Sequence, residues 1–316
     1  MTAPAEAGSR PSALQTWWLA IRPATLPAAV APVLVGIGAS MGAGSAFRPD
    51  TAAACLAVAL LLQVAANLAN DLSDFHRGAD TADRTGPLRV AAAGLLTTRR
   101  LEAGIAVVLA LAAVVGLYLV IVGGPALLVV GALAMVATLA YTGGPWPYGY
   151  RGLGEVFVFV FFGLVAVVGT AYLQALRLEP LFWLAAIPVG SLITAILVVN
   201  NLRDIPTDRA AGKRTLAVTF GEGFAKAEYA ALLGAAALVP LVLAATGQGS
   251  PAVLLPLLSV VIAIRPLQRV ITLGPDVDRR SLNPVLKATA RLSLVYGVLF
   301  ALGLALGRSV ASGAAG

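Results

Sequence analysis

Two polar stretches contain the residues of this chain that are best suited to chemistry. The first runs from Asn67 to Arg89 and brings together four carboxylates, two carboxamides and three arginines. The second runs from Asn200 to Arg214. Together they hold six of the fifteen acidic residues, and each follows a long apolar run. Both therefore mark a place where an apolar segment reaches a polar boundary.

The spacing of these residues places them on helix faces. In the first stretch an i, i+3, i+4, i+7 spacing joins the side chains of Asn67, Asn70, Asp71 and Asp74. In the second, steps of three and four join those of Asn201, Asp204 and Asp208. If the two faces meet, the predicted catalytic residues are Asn67, Asn70, Asp71, Asp74, Asp204 and Asp208.

Carboxylate oxygens are the ligands that Mg²⁺ takes in proteins, with water and substrate phosphate completing its shell. We expect Mg²⁺ to be bound by acids of both stretches, namely Asp71, Asp74, Asp80, Asp83, Asp204 and Asp208. Solvated loop acids remain an alternative, most of all for Asp80 and Asp83, which follow the expected helix end. The alternative is weaker for the others, because a charge in a membrane helix costs roughly 2.5–3.5 kcal/mol at its centre.

Basic residues follow the acids in both stretches. Guanidinium and ammonium groups can bind the oxygens of a diphosphate that a metal leaves free. The candidates for this role are Arg77, Arg84, Arg89, Lys213 and Arg214. Neutralisation of the neighbouring acids, or a general bias of basic residues to one membrane side, could also explain each of them. Lys213 is the strongest candidate, since it follows Gly212 beside the second carboxylate pair.

Further residues are expected to line the same cavity. A loop rich in Gly, Pro and Tyr runs from Tyr141 to Glu155, although an aromatic belt at the membrane interface would explain part of it. Arg22 stands at the start of the first apolar segment, where it could also be a topology anchor. The expected cavity residues are Arg22, Tyr141, Tyr148, Arg151, Asn200 and Asn201.

Composition identifies the chain as a polytopic membrane protein. Hydrophobic residues make up 59% and charged residues 12%, against about 45–50% and about 25% in soluble domains. The mean hydropathy is +0.89. No segment alternates as a barrel strand does, so the predicted class is all-α. The single Cys55 and single His76 exclude disulfides and histidine metal centres, and we do not expect a removable signal peptide.

Nine apolar segments of about 20 residues are predicted to span the membrane. They lie near 17–39, 51–72, 102–121, 125–142, 154–174, 180–202, 228–246, 251–272 and 286–307. The expected organisation is a tail over 1–16, a membrane domain over 17–307 and a second tail over 308–316. The third and fourth segments, and the seventh and eighth, are the least clearly divided.

The distribution of basic residues predicts the topology. With a cytoplasmic N-terminus, nineteen of the 22 Lys and Arg residues fall on the cytoplasmic side, as the positive-inside rule requires. Both polar stretches then face the cytoplasm, in a bacterial inner (plasma) membrane. The net charge of +7 reports topology, so we expect neither a nucleic-acid partner nor a protein partner.

The two polar stretches also resemble each other. Asp71 and Asp204 are 133 residues apart, and each follows Asn and precedes a Gly-containing basic loop. Repeated halves commonly place a site between them, although chance resemblance remains an alternative here.

These motifs are similar to those of the UbiA superfamily of intramembrane aromatic prenyltransferases. Its two acidic motifs match Asn70-x-x-x-Asp74 and Asp204-x-x-x-Asp208, while Gly78 stands where the first motif has its last Asp. That departure resembles the branch that acts on 1,4-dihydroxy-2-naphthoate in menaquinone synthesis. The same branch is similar in Arg22-Pro23-x-Thr25-Leu26-Pro27, Tyr141-Thr142-Gly143-Gly144-Pro145 and Gly212-Lys213-Arg214-Thr215-Leu216.

The resemblance implies a UbiA-like bundle, Mg²⁺, and membrane lipid around a site for a polyprenyl diphosphate and an aromatic acceptor. It implies prenyl transfer to 1,4-dihydroxy-2-naphthoate with loss of carbon dioxide and diphosphate, giving demethylmenaquinone. Other acceptors, such as 4-hydroxybenzoate or homogentisate, remain open. An ion-coupled transporter is disfavoured, since transporter sites lie near mid-bilayer and these acids lie at one boundary.

Overall fold

The computed structural model describes residues 11–78, 86, 88–274 and 277–311, with side chains as far as residue 307. Within these residues the regular structure is helical, which confirms the all-α class. The helices are α1 Ala13–Ile21, α2 Pro27–Gly42, α3 Pro49–His76, α4 Thr98–Gly123, α5 Ala126–Ala140, α6 Gly154–Ala175, α7 Pro180–Ala210, α8 Leu216–Ala245, α9 Pro251–Ile271 and α10 Asn283–Ala311. Short 3₁₀ turns precede α2, α6 and α10.

The described helices provide fewer membrane spans than the nine predicted. Seven are long and apolar enough to cross a membrane, and the bent pair α1–α2 brings the number to eight. The predicted fourth segment becomes α5, a helix of 15 residues, which is shorter than the about 20 residues that a full crossing needs.

The bend between α1 and α2 is encoded locally. Arg22 adopts a left-handed conformation with φ of 54°, and Pro23 follows it. A residue before proline is disfavoured in the helical region, so α1 ends at Ile21. Pro27 then begins α2 as its first residue, where its missing N–H leaves no hydrogen bond unmade. The two helices are inclined by 49°.

Helix α7 lies at the centre of the bundle. In its most apolar window 72% of residues are buried, against 17% for α4, which therefore presents most of its surface to lipid. Helix α6 approaches α7 backbone to backbone, because Gly163 and Gly190 lie at the crossing. Small residues at such crossings allow close packing in membranes, where no hydrophobic force joins apolar helices.

A substitution at this crossing tests its role. A Cβ atom on Gly163 would lie 2.8 Å from the Cα atom of Gly190, so Gly163→Leu must push α6 and α7 apart. We expect a destabilisation of about 1–3 kcal/mol, as for overpacked cores, seen as a lower Tm in detergent. Gly234→Ala is the control, since a Cβ there meets nothing within 4 Å. An unchanged Tm for Gly163→Leu would contradict this packing.

Candidate active site

The two acid-bearing helix ends meet at one side of the bundle. Asp74 lies near the end of α3 and Asp208 near the end of α7. The Nζ atom of Lys213 is 3.6 Å from Oδ1 of Asp74 and 3.3 Å from Oδ1 of Asp208. One ammonium group therefore bridges carboxylates that are far apart in the sequence, and the polar stretches converge as the sequence predicts.

Both helices end in the same way. Gly78 and Gly212 have positive φ angles of 65° and 73°, and each comes four residues after the site carboxylate, Asp74 or Asp208. A left-handed glycine ends a helix because it lacks a Cβ atom. The C-terminal end of a helix carries partial negative charge. Two such ends and two carboxylates make this position one that favours cations.

Asp74 has three partners from different parts of the chain. Nη2 of Arg89 lies 2.8 Å from its Oδ2 atom, and the Tyr150 hydroxyl donates to Oδ1 at 3.1 Å. Lys213 completes the set. The carboxylate is 2% exposed, so its charge is balanced by these groups and not by bulk water.

Tyr150 joins the loop between α5 and α6 to the acids. The guanidinium of Arg77 and the ammonium of Lys213 lie 5.2 Å and 4.8 Å from the centre of its ring, in cation–π geometry. Burial raises the pKa of the Tyr150 phenol well above its ordinary value, and the Asp74 carboxylate raises it further. The hydroxyl stays protonated and keeps its hydrogen bond to Asp74.

A second buried network surrounds Asp204 on α7. Nε and Nη2 of Arg203 lie 2.7 Å and 2.6 Å from the two oxygens of Asp204. Nη1 and Nη2 of the same guanidinium donate to Asn283 at 2.9 Å and to Asn200 at 2.8 Å. Arg203 is 1% exposed, and it links α7 to the start of α10.

Two amides of α3 are held in place by neighbouring segments. Nδ2 of Asn67 donates to the Ile21 carbonyl and to the Thr25 hydroxyl, both at 2.8 Å, and its oxygen accepts from Gln63 at 3.4 Å. Oδ1 of Asn70 accepts from the Thr142 hydroxyl at 2.9 Å. Asn67 therefore fixes the bend between α1 and α2.

Asp71 is not brought to the bridged carboxylates. Its two oxygens accept from the backbone N–H groups of Val90 and Ala91, at 3.0 Å and 3.1 Å, and Nη2 of Arg22 lies 3.8 Å away. The metal-binding role expected for Asp71 stays a prediction.

The basic residues divide into two groups. Arg89 and Lys213 contact the acids and line the cavity, as does Arg22. Arg77 instead donates to the carbonyls of Thr142 and Gly144, at 3.0 Å and 2.9 Å. The side chains of Arg151 and Arg214 are exposed. The guanidinium of Arg151 lies 5.0 Å from the centre of the Trp146 ring. Asp80, Asp83 and Arg84 lie outside the described residues.

A cavity of about 470 Å³ opens beneath the acids. Asp74, Asp204 and Asp208 line its polar end. Its apolar wall includes one face of α6, whose middle part, Phe159–Val168, is a π-helix; such segments often occur at functional sites. The rings of Tyr148 and Phe157 stack with their centres 4.0 Å apart, and Tyr141, Asn200 and Asn201 also face the cavity, as predicted.

The oxygen ligands fit Mg²⁺ through a pair of carboxylates. Asp74 and Asp208 already lie within reach of one shared cation, the Lys213 ammonium. In the part of the chain that the structure describes, no three His, Cys, Asp or Glu side chains converge as a closed metal cage. Mg²⁺ commonly uses one or two carboxylates and takes its remaining oxygens from water and substrate phosphate.

Three residues near the acids were missed as site residues: Tyr150, Arg203 and Glu155. Tyr150 and Glu155 contact residues distant in sequence, Asp74 and Asn201, which no local pattern reveals. Arg203 contacts Asn200 and Asp204 nearby in the sequence and also the distant Asn283. The available signals were weak ones: Tyr150 and Glu155 lie in the Tyr-rich loop, and Arg203 directly precedes Asp204.

Comparison with known proteins places the chain in a family. The profile of the UbiA prenyltransferase family matches residues 29–290. This chain belongs to the UbiA prenyltransferase family. Its UbiA fold is also that of a UbiA homolog from Aeropyrum pernix, with a TM-score of 0.66 at 19% identity, covering 87% of this chain and 97% of that one. The resemblance inferred from the sequence is confirmed.

Individual relatives of this UbiA chain carry more specific names than the family does. It is 41% identical to the 1,4-dihydroxy-2-naphthoate octaprenyltransferase of Mycobacterium tuberculosis, over 92% of this chain and 97% of the relative. It is 37% identical to the Escherichia coli protein of the same name, over 93% of this chain and 96% of the relative. A UbiA homolog from Archaeoglobus fulgidus, solved with GPP and Mg²⁺, aligns with a TM-score of 0.57 at 13% identity, over 90% of this chain and 99% of that one.

The contacts of Asp71 predict that it supports the loop. In Asp71→Asn one of the two backbone donors at Val90 and Ala91 loses its acceptor, which should destabilise the protein by about 1–3 kcal/mol. We expect faster hydrogen exchange at these two amides. Asp278→Asn, at an exposed acid, is the control. Unchanged protection of both amides would contradict this role.

Proposed function

We propose that the protein transfers a polyprenyl chain from its diphosphate to 1,4-dihydroxy-2-naphthoate. Carbon dioxide and diphosphate leave, and the direct product is the hydroquinone form of demethylmenaquinone. The observation that carries the proposal is the lysine-bridged pair of carboxylates, Asp74 and Asp208, at the polar end of an apolar cavity. The names of relatives that are 41% and 37% identical over nearly the whole chain support it.

The polar end is suited to the diphosphate. Asp74 and Asp208, with Asp204 beside them, would hold Mg²⁺, and Arg89 and Lys213 would donate charge-assisted hydrogen bonds to phosphate oxygens. Bound Mg²⁺ supplies Lewis-acid stabilisation of the leaving group. The structure of a relative bound to GPP and Mg²⁺ supports this use of the fold. Without such cations, two carboxylates and two helix C-termini would repel the anion.

The apolar part of the cavity is suited to the allylic end of the prenyl chain. Breaking the carbon–oxygen bond to diphosphate leaves positive charge on the allylic carbon, which water would trap. Walls such as Phe157, Phe161 and Val165 exclude water. The faces of Tyr141 and Tyr148 can stabilise the positive charge.

The ring carbon that bears the carboxylate forms the new bond to the allylic carbon. The carbon–carboxylate bond then breaks, carbon dioxide leaves, and the electron pair of that bond restores the aromatic ring. The chain must therefore hold this carbon against the allylic end. Asn200 and Asn201, which face the cavity beside Asp204, are placed to do so.

We also propose that the polar end faces the cytoplasm of a bacterial cell, within its plasma membrane. Nineteen of 22 basic residues lie in segments assigned to that side, in agreement with the positive-inside rule. Both substrates have a charged part that can enter there, and the prenyl chain can extend into lipid.

The direct test incubates purified protein with Mg²⁺, 1,4-dihydroxy-2-naphthoate and a labelled polyprenyl diphosphate, followed by mass analysis of the lipid. We expect a product that contains the prenyl chain and has lost carbon dioxide. Parallel reactions with 4-hydroxybenzoate and homogentisate should give far less. Efficient product from either of these, and none from the naphthoate, would overturn the proposed acceptor.

Substitution of either bridged acid should stop the reaction without unfolding the protein. Asp74→Asn and Asp208→Asn each remove a charge that holds the cations at the diphosphate end. We expect kcat to fall by at least about 100-fold, as when one electrostatic stabiliser is removed. The amount of variant protein in the membrane should stay normal. Asp278→Asn, at an exposed acid that does not line the cavity, is the control. Near wild-type turnover in either test variant would exclude these acids as the metal site.

Metal binding should depend on the diphosphate. The two carboxylates supply too few oxygens for Mg²⁺ by themselves, and Lys213 and Arg89 together already balance their charge. By titration calorimetry we expect weak Mg²⁺ binding to the free protein, and at least about 10-fold tighter binding with a non-reactive prenyl diphosphate analogue present. Equal Mg²⁺ affinity with and without the analogue would contradict this coupling.

A further inference from the structure

Two neighbouring carboxamides of α7, those of Asn200 and Asn201, face the cavity but are held by opposite atoms. Oδ1 of Asn200 accepts a hydrogen bond from Nη2 of Arg203 at 2.8 Å. Nδ2 of Asn201 donates one to Oε1 of Glu155 at 2.7 Å. One amide is fixed by its oxygen and the other by its nitrogen.

The chemistry of the partners dictates this orientation. A guanidinium group only donates hydrogen bonds, so Asn200 must give its oxygen to Arg203 and keep its NH₂ group for the cavity. Oε1 of Glu155 accepts from the NH₂ group of Asn201, which leaves the carbonyl oxygen of Asn201 for the cavity. The NH₂ group of Asn200 and the carbonyl oxygen of Asn201 are therefore the groups that these two cavity-lining residues can offer to a ligand.

Both partners are buried. Arg203 is buried and is fixed by Asp204 and Asn283. Glu155 is 5% exposed, and its Oε2 atom has no hydrogen-bond partner among the described residues. Asn201 is thus the side chain that this carboxylate orients. Groups locked in this way before a ligand arrives lose little entropy on binding.

The other cavity amides, Gln63, Asn67 and Asn70, do not offer this pair on adjacent residues. Asn67 uses its nitrogen for Ile21 and Thr25 and its oxygen for Gln63. Asn70 lies on a different helix, α3, where its oxygen holds Thr142. Asn200 and Asn201 are adjacent on the most buried helix, and both line the cavity.

We propose that this pair recognises a ring that carries a carboxylate and a hydroxyl group on neighbouring carbons. Asn200 donates to the carboxylate, and Asn201 accepts from the hydroxyl. Arg203 and Glu155 are positioning residues: Arg203 binds the oxygen of Asn200, and Glu155 binds the nitrogen of Asn201. The inference rests on the proposed function and assigns the specificity of the acceptor subsite to these four residues.

Asn200→Asp tests the donor, because the aspartate can still accept from Arg203 but has no N–H group for the cavity. We expect the KM for 1,4-dihydroxy-2-naphthoate to rise about 10-fold or more, the loss typical of one hydrogen bond to a charged group. The KM for polyprenyl diphosphate should stay within about twofold. Preference for this acceptor over 1,4-dihydroxynaphthalene, which lacks the carboxylate, should fall by a similar factor.

Glu155 is tested with a conservative and a disruptive change. Glu155→Gln keeps an oxygen for Asn201 and should leave the KM for the acceptor within about threefold. Glu155→Leu releases the amide and should raise it about 10-fold. Tyr229→Phe, which removes a buried hydrogen bond to Thr289 away from the cavity, controls for general loss of stability. Equilibrium binding of the acceptor without prenyl diphosphate gives a second readout.

The outcomes separate this inference from the proposed function. A wild-type protein that makes no product from the naphthoate overturns the function, and with it the assigned ring. An active wild type whose Asn200→Asp and Glu155→Leu variants keep their acceptor KM, or lose kcat equally for both acceptors, overturns the inference alone.

Discussion

The ammonium group of Lys213, placed between Asp74 and Asp208, is the interaction on which the site depends. It joins the ends of two helices that are distant in sequence, and both of these ends carry partial negative charge. Left-handed glycines, Gly78 and Gly212, end the helices just beyond the carboxylates. The polar end of the cavity therefore requires bound cations before a polyanionic headgroup can enter. This constraint explains why basic side chains and acids share a small buried volume.

Helix α7 supplies residues both to the acidic end of the cavity and to the proposed acceptor subsite. Asp208 and Asp204 lie towards its end, and Asn201 lies three residues, about one turn, deeper in the bundle. Because α7 is the most buried helix, neither group of residues can move without disturbing the core. The diphosphate and the ring would thus be held at a separation set by one rigid helix, a form of preorganisation that catalysis uses.

Helical spacing predicted much of this arrangement, because residues three and four apart share a face regardless of what they contact. It could not decide which flank of that face reaches the cavity. Asp71 has the right spacing, yet it serves the backbone of the following loop. Tyr150 and Glu155 find their partners through the tertiary fold. Pro23 is a sequence signal for the break at Arg22. The sequence has no comparable signal for the short length of α5, because its apolar run continues to the end of the helix.

The most direct test of the central claim is the position of the metal in a crystal of the protein with Mn²⁺ and a non-reactive prenyl diphosphate analogue. An anomalous peak between Asp74 and Asp208, with Lys213 in contact with the diphosphate, is the predicted result. A peak remote from both carboxylates, or a diphosphate bound at the exposed side chains of Arg151 and Arg214, would contradict it.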